Sequence, residues 1–566
     1  MNVGFDFGTT FSTLCVGFDG SDAAYLDADA EIFIPTQLFI TEDKRVYIGG
    51  SANVMVAQKV KGVFFYDLKR WIGVTEKNFS TFKEKIKPAY DVMFTNGELV
   101  MRGVEKSCSL PLPLTTLIQL FFTACFKLIT EKYSQEVLGC VCSVPADFDT
   151  AKRSFLINTC RKLDVKLHAI INEPTAAALG HFLSDSASDA SDKLFVYDFG
   201  GGTFDVSLMF KKGYNIFVES SFGDNRLGGR DVDLALSELI VNRYRLDISP
   251  SKFSLAISKV KEDVLTDNTK TEHLVNFGDR FLKINVTEED VRNVARPFIE
   301  RTFDMIDKIH HESRDCVGDL LLIGGSSKLP GILEMANERS YIFKTISRDD
   351  YRSAVAKGCY IRLQTLSGES NLRLSDAAAH FLSDERIPWN PLPFLAKGEA
   401  LPATRSVDLS YPNTGFKTGV NIYEGESNRV YNSTRIFSCD VSISDFVPKS
   451  GKDPLKITYS INASGTLSVT ALSQITGNQI PLINMLEEKI SKADFAKYKF
   501  IDMSKGLEQK AIYDYYISLN RFAKNKNVIS SDPELFDEET FRSLKGELGE
   551  ISWENIENFR RDLNIS

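Results

Sequence analysis

The chain has 566 residues, 43% of them hydrophobic and 25% charged, which predicts a soluble globular protein of two or three domains. Its formal net charge of −9 argues against general affinity for nucleic acid, because phosphate binding needs a positive surface. Nine cysteines without framework spacing predict thiols in a reducing compartment, and the opening MNVGFDFGTT lacks the pattern of a secretory signal.

Residues 1–366 alternate short apolar strands with amphipathic stretches, which predicts an α/β domain. An apolar strand followed by Asp, an aromatic residue, Gly and Thr occurs at Val3–Phe11 and returns at Val196–Asp205. Two related halves that face one another would form a cleft, so this internal repeat predicts two matched loops at one site.

Two features of this region have more than one interpretation. Leu114–Ile129 is the most apolar stretch, but it is shorter than the roughly 20 residues of a bilayer span. We therefore expect a buried core helix rather than a membrane anchor. Cys140 and Cys142 could belong to a metal or redox site, but cysteine is common in buried apolar strands, and we favour that reading.

The character of the chain changes after residue 366. The polar segment 367–390 is interpreted as an interdomain linker. Strands dominate 391–486, where Ile457–Val469 (ITYSINASGTLSV) predicts two strands around a turn. Residues 487–566 are predicted to be helical.

The two matched loops contain the groups that hold a nucleoside triphosphate with Mg²⁺. Glycine lets backbone N–H groups approach phosphate closely, and threonine hydroxyls add donors. Asp6 and Asp198 occupy the same place in the two loops and could hold Mg²⁺ through its retained waters. The glycine-rich turns Gly223–Asp231 and Leu321–Ser327 suit close approach to a nucleoside, although each alone would more often be a plain turn. A phosphate site is therefore favoured over a pair of hairpins.

Seven segments resemble, in order and spacing, the nucleotide-binding domain of the DnaK-type seventy-kilodalton heat-shock chaperone family. They are GFDFGTTF (4–11), DLKRWIG (67–73), SVPA (143–146), INEPTAAA (171–178), YDFGGGTFDVS (197–207), LGGRDVD (227–233) and IGGSSKLP (323–330). Later segments resemble its substrate-binding domain and the start of its lid, namely FLAKGEALP (394–402), IYEGE (422–426), YSINASGTLSVTALSQITGN (459–478) and residues 490–498. The resemblance implies an α/β actin-like two-lobed ATPase domain, a β-sandwich domain and a short helical C-terminal region.

The resemblance also implies roles for individual residues, with ATP or ADP and Mg²⁺ as cofactors and hydrolysis of ATP to ADP and phosphate as the activity. The residues implied to be catalytic are Lys69, Glu173, Asp198, Thr203 and Asp205. Those implied to bind nucleotide are Gly8, Thr9, Thr10, Gly200, Gly201, Gly202, Gly228, Lys261, Gly324, Gly325 and Lys328. Asp6 and Asp198 are implied to orient Mg²⁺, and Lys69 to stabilise charge on the transferring phosphoryl group.

The chain departs from the family at three places. The linker Asn371–Asp376 has only two leucines, so we expect weak coupling between the domains and little stimulation of turnover by added peptide. Arg230 stands at an acidic family position. Lys328 replaces an arginine that stacks on adenine, and lysine is the poorer planar partner, so nucleotide affinity is expected to be lower.

A complete ATPase motif set, an eroded linker and a short C-terminal region together resemble the chaperone homologues of closteroviruses, which are filamentous RNA viruses of plants. This implies roles in virion-tail assembly and in movement between cells through plasmodesmata. The implied partners are coat, minor coat and other virion-tail proteins, host movement machinery or co-chaperones, and viral RNA indirectly. The implied location is host cytoplasm, virion and plasmodesmata, without a transmembrane anchor. The alternatives are a cellular chaperone that binds unfolded peptides and, less favoured, a sugar or acetate kinase on the same fold.

Overall fold

The computed structural model describes most of the first 500 residues. The described ranges are 1–19, 22–26, 32–58, 60–95, 97–105, 111–183, 193–277, 280–348, 353–370, 372–387, 390–412, 418–425, 433–441, 452–474, 476–480, 482, 484, 495 and 497–500. The chain forms two compact units. Unit 1 comprises Met1–Tyr25, Lys69–Ala89 and Val137–Ala493, and unit 2 comprises Leu26–Leu68, Tyr90–Glu136 and Asp494–Ser566.

The described helices are distributed over both units. They are α1 (Gly49–Ala57), α2 (Phe79–Ile86), α3 (Leu114–Tyr133), α4 (Thr150–Lys162), α5 (Glu173–Leu183), α6 (Gly229–Tyr244), α7 (Pro250–Thr266), α8 (Glu288–Glu312), α9 (Ile332–Glu338) and α10 (Ala354–Ser367). Two 3₁₀ turns span Leu68–Trp71 and Gly325–Lys328.

The described strands form several sheets. They are β1 (Asn2–Asp6), β2 (Phe11–Phe18), β3 (Ala23–Tyr25), β4 (Ile34–Pro35), β5 (Gln37–Thr41), β6 (Arg45–Ile48), β7 (Gly62–Tyr66), β8 (Asp91–Thr95), β9 (Glu98–Glu105), β10 (Leu112–Pro113), β11 (Gly139–Val144), β12 (Lys166–Asn172), β13 (Lys193–Phe199), β14 (Phe204–Lys212), β15 (Asn215–Asp224), β16 (Glu272–Phe277), β17 (Arg280–Asn285), β18 (Gly318–Ile323), β19 (Phe343–Arg348), β20 (Arg373–Ser375), β21 (Phe381–Ile387), β22 (Asn390–Leu395), β23 (Ala403–Pro412), β24 (Thr418–Gly425), β25 (Ser433–Val441), β26 (Lys452–Ile461), β27 (Leu467–Ser473), β28 (Gln479–Ile480) and β29 (Lys499–Phe500).

Unit 1 contains two mixed sheets with the same local pattern. In one, strands run in the order β12-β11-β1-β2-β3, with β1 parallel to β11 and antiparallel to β2. In the other, the order is β19-β18-β13-β14-β15-β20, with β13 parallel to β18 and antiparallel to β14. Each repeat of the sequence therefore folds as strand, loop and antiparallel strand. These sheets and their helices fit the expected α/β ATPase domain, while its two-lobed actin-like arrangement stays a prediction.

Strand β13 lies between two hydrophobic clusters because its side chains alternate between the faces of the sheet. Phe195, Tyr197 and Phe199 join residues of α6, α7, α8 and α9 in one cluster. Leu194 and Val196 join residues of α5 and α10 in the other. Burial on both faces fixes the end of the strand, where the second phosphate-type loop begins.

Cys140 and Cys142 lie in β11, where every residue is buried. The cysteine pair is therefore part of the core, as favoured from the sequence. The described residues contain no group of three or more His, Cys, Asp and Glu side chains arranged to hold a metal ion.

Residues 381–480, called the β-domain here, form two four-stranded sheets with a shared core. The strand orders are β22-β21-β24-β25 and β23-β26-β27-β28. Val420, Ile422 and Cys439 of the first sheet pack with Ile457 and Tyr459 of the second in one hydrophobic cluster. The strands predicted at 391–486 are therefore present where the structure describes this region, and the two sheets pack as a sandwich.

The hairpin predicted at Ile457–Val469 is confirmed. Strands β26 and β27 pair antiparallel around a turn in which Gly465 has a φ of +73°. The Asn462 side chain accepts hydrogen bonds from the backbone N–H groups of Ser464 and Thr466, both at 2.9 Å. An Asx-type turn of this kind suits Asn at this position.

The segment predicted as a linker is partly structured. Strand β20 adds to the edge of the ATPase-type sheet by parallel pairing with Asn215–Phe217 of β15. Leu372 is 4% exposed, and Leu374 packs against the same hydrophobic cluster. Two leucines are therefore sufficient to bury this part of the segment.

Unit 2 contains a sheet of order β10-β9-β7-β5-β6-β29, with β8 paired to β9. Helix α3 is long and apolar enough to cross a membrane, but 67% of its most apolar window is buried, and it packs against β5, β6 and β9. The prediction of a core helix at Leu114–Ile129 is therefore confirmed.

The C-terminal region was predicted to be helical from residue 487. Lys499 and Phe500 instead form a strand parallel to Arg45 and Val46 of β6, so the prediction is wrong for these two residues. The reason is a non-local partner, since Tyr498 is buried and the Lys127 ammonium lies 4.4 Å from the centre of the Phe500 ring. The rest of the predicted helical tail lies outside the described residues, apart from 495, 497 and 498.

Candidate active site

The two matched loops of unit 1 touch one another. A Cβ atom on Gly201 would lie 2.0 Å from the Thr10 hydroxyl oxygen, so only glycine permits this approach. The second loop closes tightly because the Gly200 N–H donates to the Thr203 carbonyl at 3.0 Å. Glycine and threonine residues from both loops therefore line one cleft, and backbone N–H groups and hydroxyls are the donors that a phosphate-binding site uses.

The cleft has about 1150 Å³ of free volume, counting space open to solvent. The predicted site residues that line it are Asp6, Gly8, Thr9, Thr10, Lys69, Glu173, Asp198, Gly200, Gly201, Thr203, Lys261, Gly324, Gly325 and Lys328. Gly202, Asp205 and Gly228 lie outside the lining.

Lys69 forms a buried ion pair inside the cleft. Its ammonium lies 2.6 Å from Glu173 Oε1, and the two side chains are 3% and 9% exposed. Burial lowers the pKa of Lys69, but the carboxylates of Glu173 and Asp6 more than offset it, so the pKa is raised overall. Lys69 therefore stays charged, and its position is set by Glu173.

Three aspartates share this environment. Burial, followed by repulsion from Glu173, raises the pKa of Asp6 to about 7, even though Ser143 donates a 2.7 Å hydrogen bond to it. The same two causes raise the pKa of Asp198 and of Asp205. Four acidic side chains thus surround one lysine, an excess of negative charge that a bound cation would relieve.

The residues fit Mg²⁺ held through water. Asp205 Oδ1 accepts the Asp147 N–H at 3.3 Å, but its buried Oδ2 has no hydrogen-bond partner. A buried carboxylate oxygen without a partner is costly, and a metal-bound or attacking water would satisfy it. Mg²⁺ usually keeps several of its waters, and these would connect it to the carboxylates of Asp6 and Asp198.

The far side of the cleft contains a buried ion pair. Lys261, for which contact with the nucleoside stays a prediction, lines the cleft, and its ammonium lies 2.7 Å from Asp233 Oδ1 and also donates to the Gly229 carbonyl at 3.3 Å. Its charge is therefore largely committed to a partner in the wall. Arg230 also approaches Asp233, at 3.7 Å. Lys328 ends the 3₁₀ turn that lines the same side.

Several residues that line this side of the cleft were not predicted from the sequence. Helix α7 presents Ser258, Glu262 and Leu265 to the cleft beside Lys261. These positions are three or four residues apart, so they share one helix face. Once Lys261 had been chosen, the helical period could have identified its neighbours, whereas Asp233 could be found only from the fold.

Two glycine-rich loops facing each other over a lysine and clustered carboxylates define a class of proteins that bind nucleotide in a cleft. The model of the family described as Hsp70 protein matches residues 2–529, and the chain belongs to the Hsp70 family. Members of this family are ATPases, and nucleotide binding follows from the membership.

Within the family, the chain is a homologue of closterovirus movement proteins. It is 32% identical over 531 residues to the movement protein Hsp70h of Grapevine leafroll-associated virus 3, covering 92% of each chain. It is 32% identical over 488 residues to the movement protein Hsp70h of Lettuce infectious yellows virus, covering 85% of this chain and 86% of that protein. A chaperone protein HscA homologue of Histophilus somni is 25% identical over 567 residues, covering 96% of this chain and 88% of that protein. The resemblance to the viral branch is therefore confirmed.

Proposed function

We propose that the chain hydrolyses ATP and uses this cycle as a movement and virion-tail assembly factor of a filamentous plant RNA virus. The observation that carries the ATPase part is the buried Lys69–Glu173 pair between two facing phosphate-type loops. The viral part rests on similarity to proteins named as movement proteins at 32% identity over most of both chains.

In the proposed reaction, a water oxygen attacks the γ-phosphorus and the bond to the β-phosphate oxygen breaks. Mg²⁺, when bound near Asp6 and Asp198, would neutralise phosphate charge. The Lys69 ammonium stabilises the charge that develops on the transferring group, and Glu173 fixes the position of that ammonium. Asp205 lies outside the lining and contributes negative charge next to Glu173. The threonines and N–H groups of the loops hold the phosphates in line.

Contacts between helix α4 and the β-domain support coupling of the two parts. The Thr150 N–H and hydroxyl donate to the two carboxylate oxygens of Glu424, at 2.7 and 3.1 Å. Burial raises the pKa of this carboxyl group, and its hydrogen bonds from Thr150, at the N-terminus of α4, oppose that rise. Arg153 donates to the Ser464 carbonyl at 3.3 Å.

A second set of contacts runs from the linker segment to the catalytic residues. Asn172 Nδ2 donates to both carboxylate oxygens of Asp376, at 3.0 and 2.9 Å, and its Oδ1 accepts from Arg153 at 2.7 Å. Asn172 immediately precedes Glu173, so a shift of Asp376 would be felt next to the Lys69 partner. These contacts favour coupling despite the short apolar part of the linker.

The proposed partners are coat, minor coat and other virion-tail proteins, together with host movement machinery or co-chaperones. Viral RNA would be reached through these proteins. The proposed location is the host cytoplasm, the virion and plasmodesmata, in keeping with the relatives named as movement proteins.

The test is sedimentation of native complexes from infected tissue, followed by mass spectrometry and an RNA assay. The proposal expects the chain in a filamentous particle that contains RNA and coat proteins. A small RNA-free complex carrying co-chaperones and assorted unfolded proteins would support a cellular chaperone role instead. Purified chain that releases no phosphate from ATP would refute the ATPase part.

A further inference from the structure

A second ion pair of unit 1 lies next to the lining of the cleft, because Arg70 follows Lys69 and Asp231 follows Arg230, and both Lys69 and Arg230 line it. Arg70 follows Lys69 in the same 3₁₀ turn, and its Nη2 lies 2.9 Å from Asp231 Oδ1. The side chains are 6% and 16% exposed, so the pair is shielded from salt and water. An ion pair that is shielded in this way is worth more than an exposed one.

The Asp231 carboxylate also holds the backbone on its own side of the cleft. Its Oδ2 accepts the Gly228 N–H at 2.9 Å and so caps helix α6. Gly228 packs so closely on the second phosphate loop that a Cβ atom there would lie 2.5 Å from Gly202 Cα. A pull on Asp231 is therefore transmitted to the backbone that touches this loop.

The next two residues bind the same loop directly. The Gly229 N–H donates to the Gly200 carbonyl at 3.0 Å, and the Arg230 N–H donates to the Gly201 carbonyl at 2.7 Å. The start of α6 and the phosphate loop are thus joined by short hydrogen bonds. Arg70 and Asp231 lie within the motifs at 67–73 and 227–233, but no role has been proposed for either side chain.

We propose that Arg70 and Asp231 form a latch that holds the Lys69 turn against the second phosphate loop, and that nucleotide leaves only when this pair opens. This inference rests on the proposed ATPase function. Arg70 and Asp231 are positioning residues. Arg70 fixes the distance between the Lys69 turn and the loop that carries Thr203, and Asp231 connects it to that loop.

A nearby exposed pair provides an internal comparison. Lys87 lies 3.0 Å from Glu238 of the same helix α6, but the side chains are 55% and 44% exposed. Exposed pairs contribute little because water and salt screen them. Lys87→Ala is therefore the matched control, since it removes a cation bound to α6 without touching the buried pair.

The experiment measures release of a fluorescent N-methylanthraniloyl ADP, chased with unlabelled ADP in a stopped-flow instrument. Arg70→Met and Asp231→Asn are expected to raise the release rate about tenfold or more, because a hydrogen bond to a charged group is lost in a shielded place. Arg70→Lys keeps the positive charge, so its release rate is expected to lie between those of wild type and Arg70→Met. Lys87→Ala is expected to stay within about twofold of wild type.

A double-mutant cycle shows whether the two residues act through each other. Arg70→Met with Asp231→Asn should release ADP no faster than the stronger single variant, whereas independent effects would multiply and contradict the latch. Single variants with wild-type release rates would also overturn it.

The same double-mutant cycle is measured on the free energy of unfolding without nucleotide. If wild-type chain binds no ADP, the proposed function fails. If, in that case, the two mutations lower the free energy of unfolding additively, the ion pair is refuted as well. If their effects are not additive, the ion pair exists, but its role in nucleotide release is refuted.

Discussion

Replacing Lys69 by alanine should affect both turnover and stability. The mutation removes the ammonium group that lies 2.6 Å from Glu173 and that also interacts with the carboxylate of Asp6. Removing one donor aimed at developing charge costs about 2.7–4 kcal/mol, a loss of roughly 10²–10³ in kcat. We therefore expect a loss of ATP turnover of at least this size.

Stability should fall at the same time, because the Glu173 carboxylate would be left buried without its partner. Breaking one side of a buried ion pair costs about 3–5 kcal/mol. We expect a decrease of this order in the free energy of unfolding of the nucleotide-free variant at pH 7. Mg²⁺ with ADP should recover part of it, because ligand binding stabilises the folded state and the cation replaces the lost charge.

Two measurements check this prediction. Single-turnover release of phosphate from ATP gives the chemical step, and urea unfolding with and without Mg²⁺ and ADP gives stability. Lys270→Ala is the control, because it removes a lysine from an exposed ion pair. The Lys270 side chain is 50% exposed and that of its partner Asp263 is 36% exposed. Turnover within threefold of wild type in the Lys69 variant would refute the mechanism. Lost turnover with unchanged stability would show that the Lys69–Glu173 pair does not stabilise the folded chain.

Three further predictions follow from other parts of the structure. The pKa of Asp6 is raised from 3.8 to about 7, so between these values the folded chain holds a proton that the unfolded chain releases. The melting temperature without ligand should therefore fall as the pH rises from 5 to 8, and it should fall less in Asp6→Asn. A flat profile in wild type would contradict this. Leu372→Asp should speed trypsin cleavage at Arg373 about tenfold or more, because a charge replaces a buried side chain, while Leu366→Asp, at a position 48% exposed, should not. Equal cleavage rates would mean that the linker strand is not held by Leu372. Tyr498→Ala should lower the free energy of unfolding, measured by urea titration, by about 2 kcal/mol, because Tyr498 is buried next to β29. Tyr214 is 64% exposed, so Tyr214→Ala should lower it by less than about 0.5 kcal/mol. Equal losses would argue against a docked β29.

The phosphate loops could be predicted because their signal is local. Asp, an aromatic residue, Gly and Thr recur in a fixed order, and Gly201 meets Thr10 as two facing loops require. The buried helix at Leu114–Ile129 and the hairpin around Gly465 were likewise contained in short stretches. In each case the residues that make up the individual loop, helix or hairpin are neighbours in sequence.

The features that sequence reasoning missed depend on distant partners. The ion pair between Lys261 and Asp233 could not be predicted, because only the fold brings the two side chains within 2.7 Å. The linker segment was noted for having only two leucines, and its pairing with β15 is not revealed by composition. Arg70 was noticed only as the neighbour of Lys69, because its partner Asp231 is 161 residues away.

The most direct test of the proposed function compares ATP turnover with virus movement in the same variants. A fluorescent reporter virus carrying wild type, Lys69→Ala or Lys270→Ala in this chain is scored for the number of cells in each infection focus. Particle assembly and protein level are measured in parallel. Normal foci are expected for wild type and Lys270→Ala, and single-cell foci for Lys69→Ala at equal protein level. Full cell-to-cell spread by a Lys69→Ala chain that releases no phosphate would contradict the claim that ATP hydrolysis drives movement.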